Sequence, residues 1–314
     1  MLRNFLNHLI LNFQFFIVTL ISAETTMIIT WGKPTSLSNS STTPPQTLPL
    51  SWEDCVEYCR SDPTCILVYD TFPCEIYTFG QLRSVSKLSS ESGERVAFRT
   101  TGVEDGEEEC PIEQKSPLLM DGVIKEPSYS ITLENNVWTF KYCPTQEFQL
   151  FTRVKGDWCI AVLNKNVTTD WPASVSECNT TYNGVLSGLE NTNELNYIHS
   201  IAKSYMPLFP TRTKLGFWVN GYRRDNCMSP AKKSPSCDGT NEFYFTDPTM
   251  SRTDGYVWYT KQPDGMLNYT TNSNCICLRE DGVTGAMDDT ACQGKDVTTS
   301  KVGYVGFVCG TVPV

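Results

Sequence analysis

Short apolar runs separated by polar loops cover most of this chain, and their spacing predicts a mixture of strands and a few helices. The first run, Phe13 to Ala23 behind Arg3, is too short to span a bilayer and ends in the small residues Ser22 and Ala23. It reads as a signal peptide over 1–23, cleaved after Ala23. MIITWGKP, from Met27, is an apolar strand stopped by Gly32 and Pro34. The Ser/Thr/Pro-rich stretch at 36–49 has too little apolar content for a core and reads as a loop. Ser51 then caps a helix with Asp54 in its first turn and Pro63 as its stop. Cys55 and Cys59, four apart, share one face of that helix. ILVYD at 66–70, CEIYTFG at 74–80 and RVAFRT at 95–100 read as short strands.

The pattern breaks at TGVEDGEEEC, 101–110, where four glutamates and one aspartate suggest a solvated linker. We expect a first module over 24–101, an acidic linker over 102–140 and a second module over 141–314. The second opens with two apolar runs around a turn at Lys155-Gly156, a hairpin that a disulfide between Cys143 and Cys159 could tie. DWPASVSECN leads into a helix carrying Cys178, and VLSGL at 185–189 reads as a short strand. Asn191 with Glu194 three residues later forms a capping-box pattern. The helix behind it shows Leu195, Ile198, Ile201, Ala202 and Tyr205 on one stripe, with His199 just off it and Pro207 as its end. GFWVNG, YVWY and the terminal GYVGFVCG are strand candidates.

Composition narrows the function. The chain carries a net charge of -10 and no basic patch, which excludes nucleic acid as a partner. Of its two histidines, His8 leaves with the signal peptide. Ser-His-Asp or Cys-His catalysis would rest on His199 alone, and a surface-helix histidine is the simpler reading, so no enzyme is expected. The fourteen cysteines all lie beyond the signal segment, an even count that reads as an oxidised framework in a secreted, extracellular protein. Four glycosylation sequons, at Asn39, Asn166, Asn179 and Asn268, agree with that route. No second long apolar run follows, so no membrane span is expected. The oligomeric state is not legible.

The opening MIITWGKP, the SWEDC helix start, the cysteines Cys55, Cys59, Cys65 and Cys74, and the closing VAF resemble the nematode-type CW module, a relative of PAN/apple domains. The resemblance implies a small sheet with one helix, stapled Cys55–Cys74 and Cys59–Cys65. The spacing itself leaves three connectivities open. WPASVSEC, LSGLEN, FWVNG, FTD, QPD, NCICL, DDTAC and FVCG, in that order, resemble the long form of the C-type lectin-like domain. The fold class is therefore α+β: a PAN/apple-like, disulfide-stapled module followed by a long-form C-type lectin-like domain. That resemblance implies Cys178–Cys309, Cys275–Cys292 and Cys143–Cys159. Cys227 and Cys237 bracket a short loop and most simply pair with each other. Cys110 and Cys277 are left, to bond with each other or with another chain.

In C-type lectins the sugar site is a calcium ion, which takes six to eight oxygens from carboxylates and amides. By resemblance, Gln262, Pro263 and Asp264 match the galactose-type triplet, with a cis proline, and Asp288 and Asp289 stand at the family's Asn-Asp pair. Calcium would then be held by Gln262, Asp264, Asp288 and Asp289, and the sugar by Gln262, Asp264 and Asp288. Ser273 stands where the family has an acidic ligand, Met287 replaces a tryptophan, and the Asn268 sequon lies in the same loop. Two readings follow. One is a secreted carbohydrate-recognition protein with calcium as cofactor, galactose-type specificity and glycans or glycoproteins as partners, serving surface or defence recognition by analogy. The other is a protein-interaction molecule that kept the lectin fold and lost the metal.

Overall fold

The computed structural model describes residues 25–37, 43–101, 123–126, 128–228, 234–265, 267–268, 271–294, 296–297 and 302–314; the segment 1–23, Asn39 and Cys110 lie outside them. Two sheets organise the chain, in an α+β arrangement. The first is built from β1 (Thr25–Leu37), β2 (Gln46–Leu48), α1 (Trp52–Ser61), β3 (Cys65–Tyr69), β4 (Cys74–Thr78), β5 (Leu82–Lys87) and β6 (Arg95–Thr101). It continues through β7 (Val123–Glu126), β8 (Tyr129–Glu134) and β9 (Val137–Tyr142), in the order β2-β4-β3-β6-β1-β5-β9-β8-β7. α1 starts where the sequence indicates: Ser51 Oγ accepts from the Asp54 amide at 3.2 Å. Its two buried residues are Cys55 and Cys59, bonded to Cys74 and Cys65 at the starts of β4 and β3.

Within and just past the stretch expected as a linker, 102–140, Val123–Glu126, Tyr129–Glu134 and Val137–Tyr142 are strands of the first sheet, and β9 pairs with β5 through Val85↔Trp138. The physical reason lies in SITLENNVWTFKY, whose apolar residues alternate with period two around Asn135-Asn136. Both asparagines have positive φ, 51° and 61°, the geometry of a two-residue type I′ hairpin. Tyr129, Ile131, Trp138, Phe140 and Tyr142 thereby join Leu82, Val85 and Phe98 in one core. The acidic composition at 104–109 says nothing about these later residues.

The second sheet comprises β10 (Gln149–Arg153), β11 (Gly156–Asn164), α2 (Trp171–Tyr182), β12 (Val185–Leu186), α3 (Thr192–Ser204), β13 (Lys214–Arg223) and β14 (Phe243–Tyr244). It ends with β15 (Leu267–Asn268), β16 (Thr271–Glu280), β17 (Gly285–Ala291), β18 (Asp296–Val297) and β19 (Val302–Thr311). Its path is β10-β11-β19-β13-β16-β15, with β17 added on β16. Period two divides the core: Trp158, Ile160 and Val162 of β11 and Leu215, Phe217 and Val219 of β13 pack with Leu195, Ile198 and Ala202 of α3. Cys159 and Ala161 and Trp218, on the alternate positions, pack in a second cluster with Cys178 of α2 and Tyr304. YVWY, expected as a strand, makes only the isolated bridge Trp258↔Met287.

Among the described residues four disulfides staple this half: Cys143–Cys159, Cys178–Cys309, Cys227–Cys237 and Cys275–Cys292. Asn191 caps α3, but Glu194 does not close a capping box. Its carboxylate instead takes two bonds of 2.8 Å from fully buried Arg153, which also holds Asp247 at 2.8 Å. This buried network ties β10, α3 and the loop after β14 together.

Candidate functional site

The Gln262-Pro263-Asp264 triplet sits in the loop between the Trp258 bridge and β15, with Gln262-Pro263 in the cis form and Pro263 buried. The loop closes on itself and on β17. Asp264 donates its amide to Gln262 Oε1 at 2.9 Å and to Asp289 Oδ1 at 3.0 Å. Gly265 donates its amide to Asp289 Oδ2 at 2.9 Å. Asp289 is therefore the acceptor around which the loop is folded.

The same carboxylate is held from the opposite side by Arg223, the last residue of β13. Residues 215, 217, 219 and 223 share one face of this strand by alternation, so the side chain of Arg223 follows Phe217 and Val219 into the interior. It is 2 % exposed. Arg223 Nη2 donates to Asp289 Oδ2, Nη1 meets Glu242, and Nε donates to the Ser273 carbonyl at 3.0 Å. The guanidinium lies 4.7 Å from the ring centre of Phe243, which fixes it from below. Burial pushes the Asp289 carboxyl up and pulls Arg223 down, while the ion pair and the two loop amides oppose the Asp289 shift. An arginine starts so far above neutrality that the pair remains ionised. Glu242 is also buried, and its Oε1 has no hydrogen-bond partner.

Asp288 goes elsewhere. It pairs across the ladder with Cys277 while Asp289 pairs with Ile276, so these two neighbours project to opposite faces of the strand pair. Asp288 Oδ2 accepts from Arg279 Nη1 at 2.7 Å, and Oδ1 is buried without a partner. Burial pushes its carboxyl up to about 6 against the pull of Arg279. Cys277 is fully buried beside it, forms no disulfide among the described residues, and has its thiol pushed well up by burial. Its expected partner Cys110 lies outside the described residues.

This arrangement does not fit a calcium ion on the expected ligand set. Calcium needs six to eight oxygens converging at about 2.3–2.6 Å. Here both Asp289 oxygens and Gln262 Oε1 already accept protein N–H groups, Asp288 is turned toward Arg279, and Ser273 offers its carbonyl to Arg223. Among the described residues no three His, Cys, Asp or Glu side chains converge as a metal site. Of the expected set Gln262, Asp264, Asp288 and Asp289, the structure folds the loop onto Asp289, while the carboxylate of Asp288 is bonded to Arg279. Sequence reasoning missed Arg223 and Glu242. The signal for Arg223 was the inward period of GFWVNGYR, continued two residues past the strand motif.

The remaining singled-out residues have simpler settings. His199 bonds Glu280, which is fully buried. Asn166 and Asn179 are exposed, and Asn268 lies on β15. No helix among the described residues is long and apolar enough to cross a membrane.

Comparison with known proteins assigns both halves. Residues 27–100 match the PAN-like domain family. Residues 139–312, more than half of the chain, match the family described as C-type lectin domain-containing protein 141/158. The chain belongs to this family. It is a PAN-like, disulfide-rich module followed by a C-type lectin fold, a fold whose relatives are generally not enzymes. Solved C-type lectin domains align at low identity. Human lithostathine is 13% identical over 54% of this chain and 90% of its own, with a TM-score of 0.35. The C-type lectin domain of murine dendritic cell inhibitory receptor 2, solved with an N-glycan, is 14% identical over 54% and 98%, with a TM-score of 0.34. The carbohydrate-recognition domain of mouse scavenger receptor C-type lectin is 14% identical over 54% and 96%, at 0.33. No curated protein matches the chain.

Proposed function

We propose that this protein is a secreted recognition molecule whose C-type lectin domain engages a protein or glycoprotein surface directly, without calcium. The observation that carries this reading is Arg223: a buried, tethered cation bonded to Asp289 and to the carbonyl of Ser273, the position that lacks the family's acidic ligand. Calcium-type lectins hold a sugar through hydroxyls that complete the metal's shell. Asp289 and Gln262 are already bonded within the protein, which supports recognition by the surface around the long loop instead. Disulfides throughout both halves, the signal-like N-terminus and the exposed sequons Asn166 and Asn179 support an extracellular setting. The PAN-like module is read as an accessory recognition unit.

The second reading, calcium-dependent galactose-type binding, is favoured by one observation, the Gln262-cis-Pro263-Asp264 triplet. One experiment separates the two. The secreted protein is screened on a glycan array and against candidate glycoproteins, with calcium and with chelator. Chelator-insensitive binding to a glycoprotein supports the direct-contact reading. Galactoside binding that chelator abolishes contradicts it.

A further inference from the structure

We infer that Thr47 carries an O-linked saccharide at the outer edge of the first sheet. This inference rests on the secreted reading above, since the sugar is added along the secretory route.

The Ser/Thr/Pro-rich stretch 36–49 has no part in the recognition surface of the lectin domain. Serine and threonine mixed with proline, and little apolar content, is the composition of O-glycosylated stalks. Ser36, Thr43 and Thr47 are the hydroxyl-bearing residues of this stretch that the structure describes. Their hydroxyls differ. Ser36 Oγ is bonded to Ser84 Oγ at 2.6 Å, and Thr43 Oγ1 accepts from Gln81 Nε2 at 3.2 Å. Among the described residues the Thr47 hydroxyl has no hydrogen-bond partner.

Backbone and packing single out the same residue. β2 is the outermost strand of the nine-stranded order and pairs with β4 alone, through Thr47↔Glu75. Leu48 and Leu50 pack on the cluster that contains Cys74 and Ile76. Period two therefore turns Thr47 away from that cluster, and Thr47 is exposed. Pro45 and Pro49 stand two residues to either side. Neither has an N–H to donate, and each biases the residue before it toward the extended region. The segment 45–49 is thus an extended, solvent-exposed acceptor with an unengaged hydroxyl at its centre, which is what a glycosyltransferase must be able to reach.

The step is a group transfer. Thr47 Oγ1 attacks the anomeric carbon of a nucleotide-activated sugar. The bond from that carbon to the diphosphate oxygen breaks, the nucleoside diphosphate leaves, and the hydroxyl proton passes to a base of the transferase. Nothing is oxidised or reduced. The product is a hydrated saccharide beside the unpaired side of β2, and it closes that edge to strand addition by a partner.

The test is mass spectrometry of the full chain collected from the medium and from lysates of animal cells, after an amidase has released N-linked glycans and trypsin has cut the reduced protein. Trypsin does not cut Lys33 before Pro34, so one peptide ending at Arg60 holds the whole stretch. This peptide is expected to carry hexose or N-acetylhexosamine increments, and electron-transfer fragmentation is expected to place one on Thr47. Thr47→Ala, an exposed change that leaves the core untouched, is expected to lose that increment. An unmodified Thr47 in protein that reaches the medium with Asn166 or Asn179 glycosylated overturns the inference and leaves the secreted reading standing. Protein retained in the cells with neither sequon modified overturns both.

Discussion

Arg223 and Asp289, 66 residues apart, form the buried ion pair on which the long loop of the lectin domain closes. Arg223 arrives from the end of β13, Asp289 from β17, and Asp289 passes the contact on to the loop through the amides of Asp264 and Gly265. One carboxylate thus joins a core strand to the long loop.

Asp289→Ala should cost about 3–5 kcal/mol, because it takes one of two carboxylates from a buried guanidinium, leaves the Gly265 amide without its acceptor and removes one of the two acceptors of the Asp264 amide. Denaturant melts measure the cost, and limited proteolysis should show new cleavage near Gly265. A loss below about 1 kcal/mol, the size of a single ordinary hydrogen bond, would mean that the pair does not organise the loop.

Asp288 predicts a pH dependence of unusual sign for a carboxylate. Its folded-state pKa is pushed up to about 6 from 3.8. The folded state therefore holds a proton that the unfolded state has released between these values. Its contribution to stability is fully present below 3.8 and is lost as pH rises through 6, by roughly 2–3 kcal/mol. Asp288→Asn should remove this slope and raise stability relative to wild type at pH 7. Parallel pH–stability curves for the two proteins between pH 4 and 7 would contradict the assignment.

Arg153 is the second buried cation of the domain, and its role is structural. It bonds Glu194 at 2.8 Å, Asp247 at 2.8 Å and the Gly188 carbonyl at 2.9 Å with no solvent exposure of its side chain. Arg153→Met leaves both carboxylates buried and unpaired and should cost about 3–5 kcal/mol. Chemical denaturation checks this. The calcium response should not change, since Arg153 does not touch Asp289.

The joint between the modules makes a further prediction. Because β9 pairs with β5 and Trp138 packs against Phe98 at 5.2 Å between ring centres, a protease site inserted at 104–109 and cut should give two pieces that remain associated. Size exclusion without denaturant should show one species. Separation of the pieces would contradict the shared core.

Much of this was legible in the residues. The helix starts at Ser51 and Asn191 and the strands of FWVNG and FVCG follow from local chemistry, whereas the staples Cys178–Cys309 and Cys275–Cys292 are what the resemblance to the lectin fold implied. The hairpin at Asn135-Asn136 was masked by the acidic stretch before it, although its alternation was present. The site was harder to read for a physical reason. Which cation a carboxylate meets depends on which strands lie side by side, and Arg223 and Glu242 are distant from the loop in sequence. Likewise Asp288 and Asp289 look like one pair until period two sends them to different arginines.

The most direct measurement is a calcium titration of the wild-type protein followed by thermal unfolding of the lectin domain. With Asp289 bonded to Arg223 and to the loop amides, the melting temperature should stay constant from chelator up to about 10 mM calcium. A saturable, calcium-specific rise of about 3 °C or more would show that the metal binds the wild-type loop, and would contradict the account.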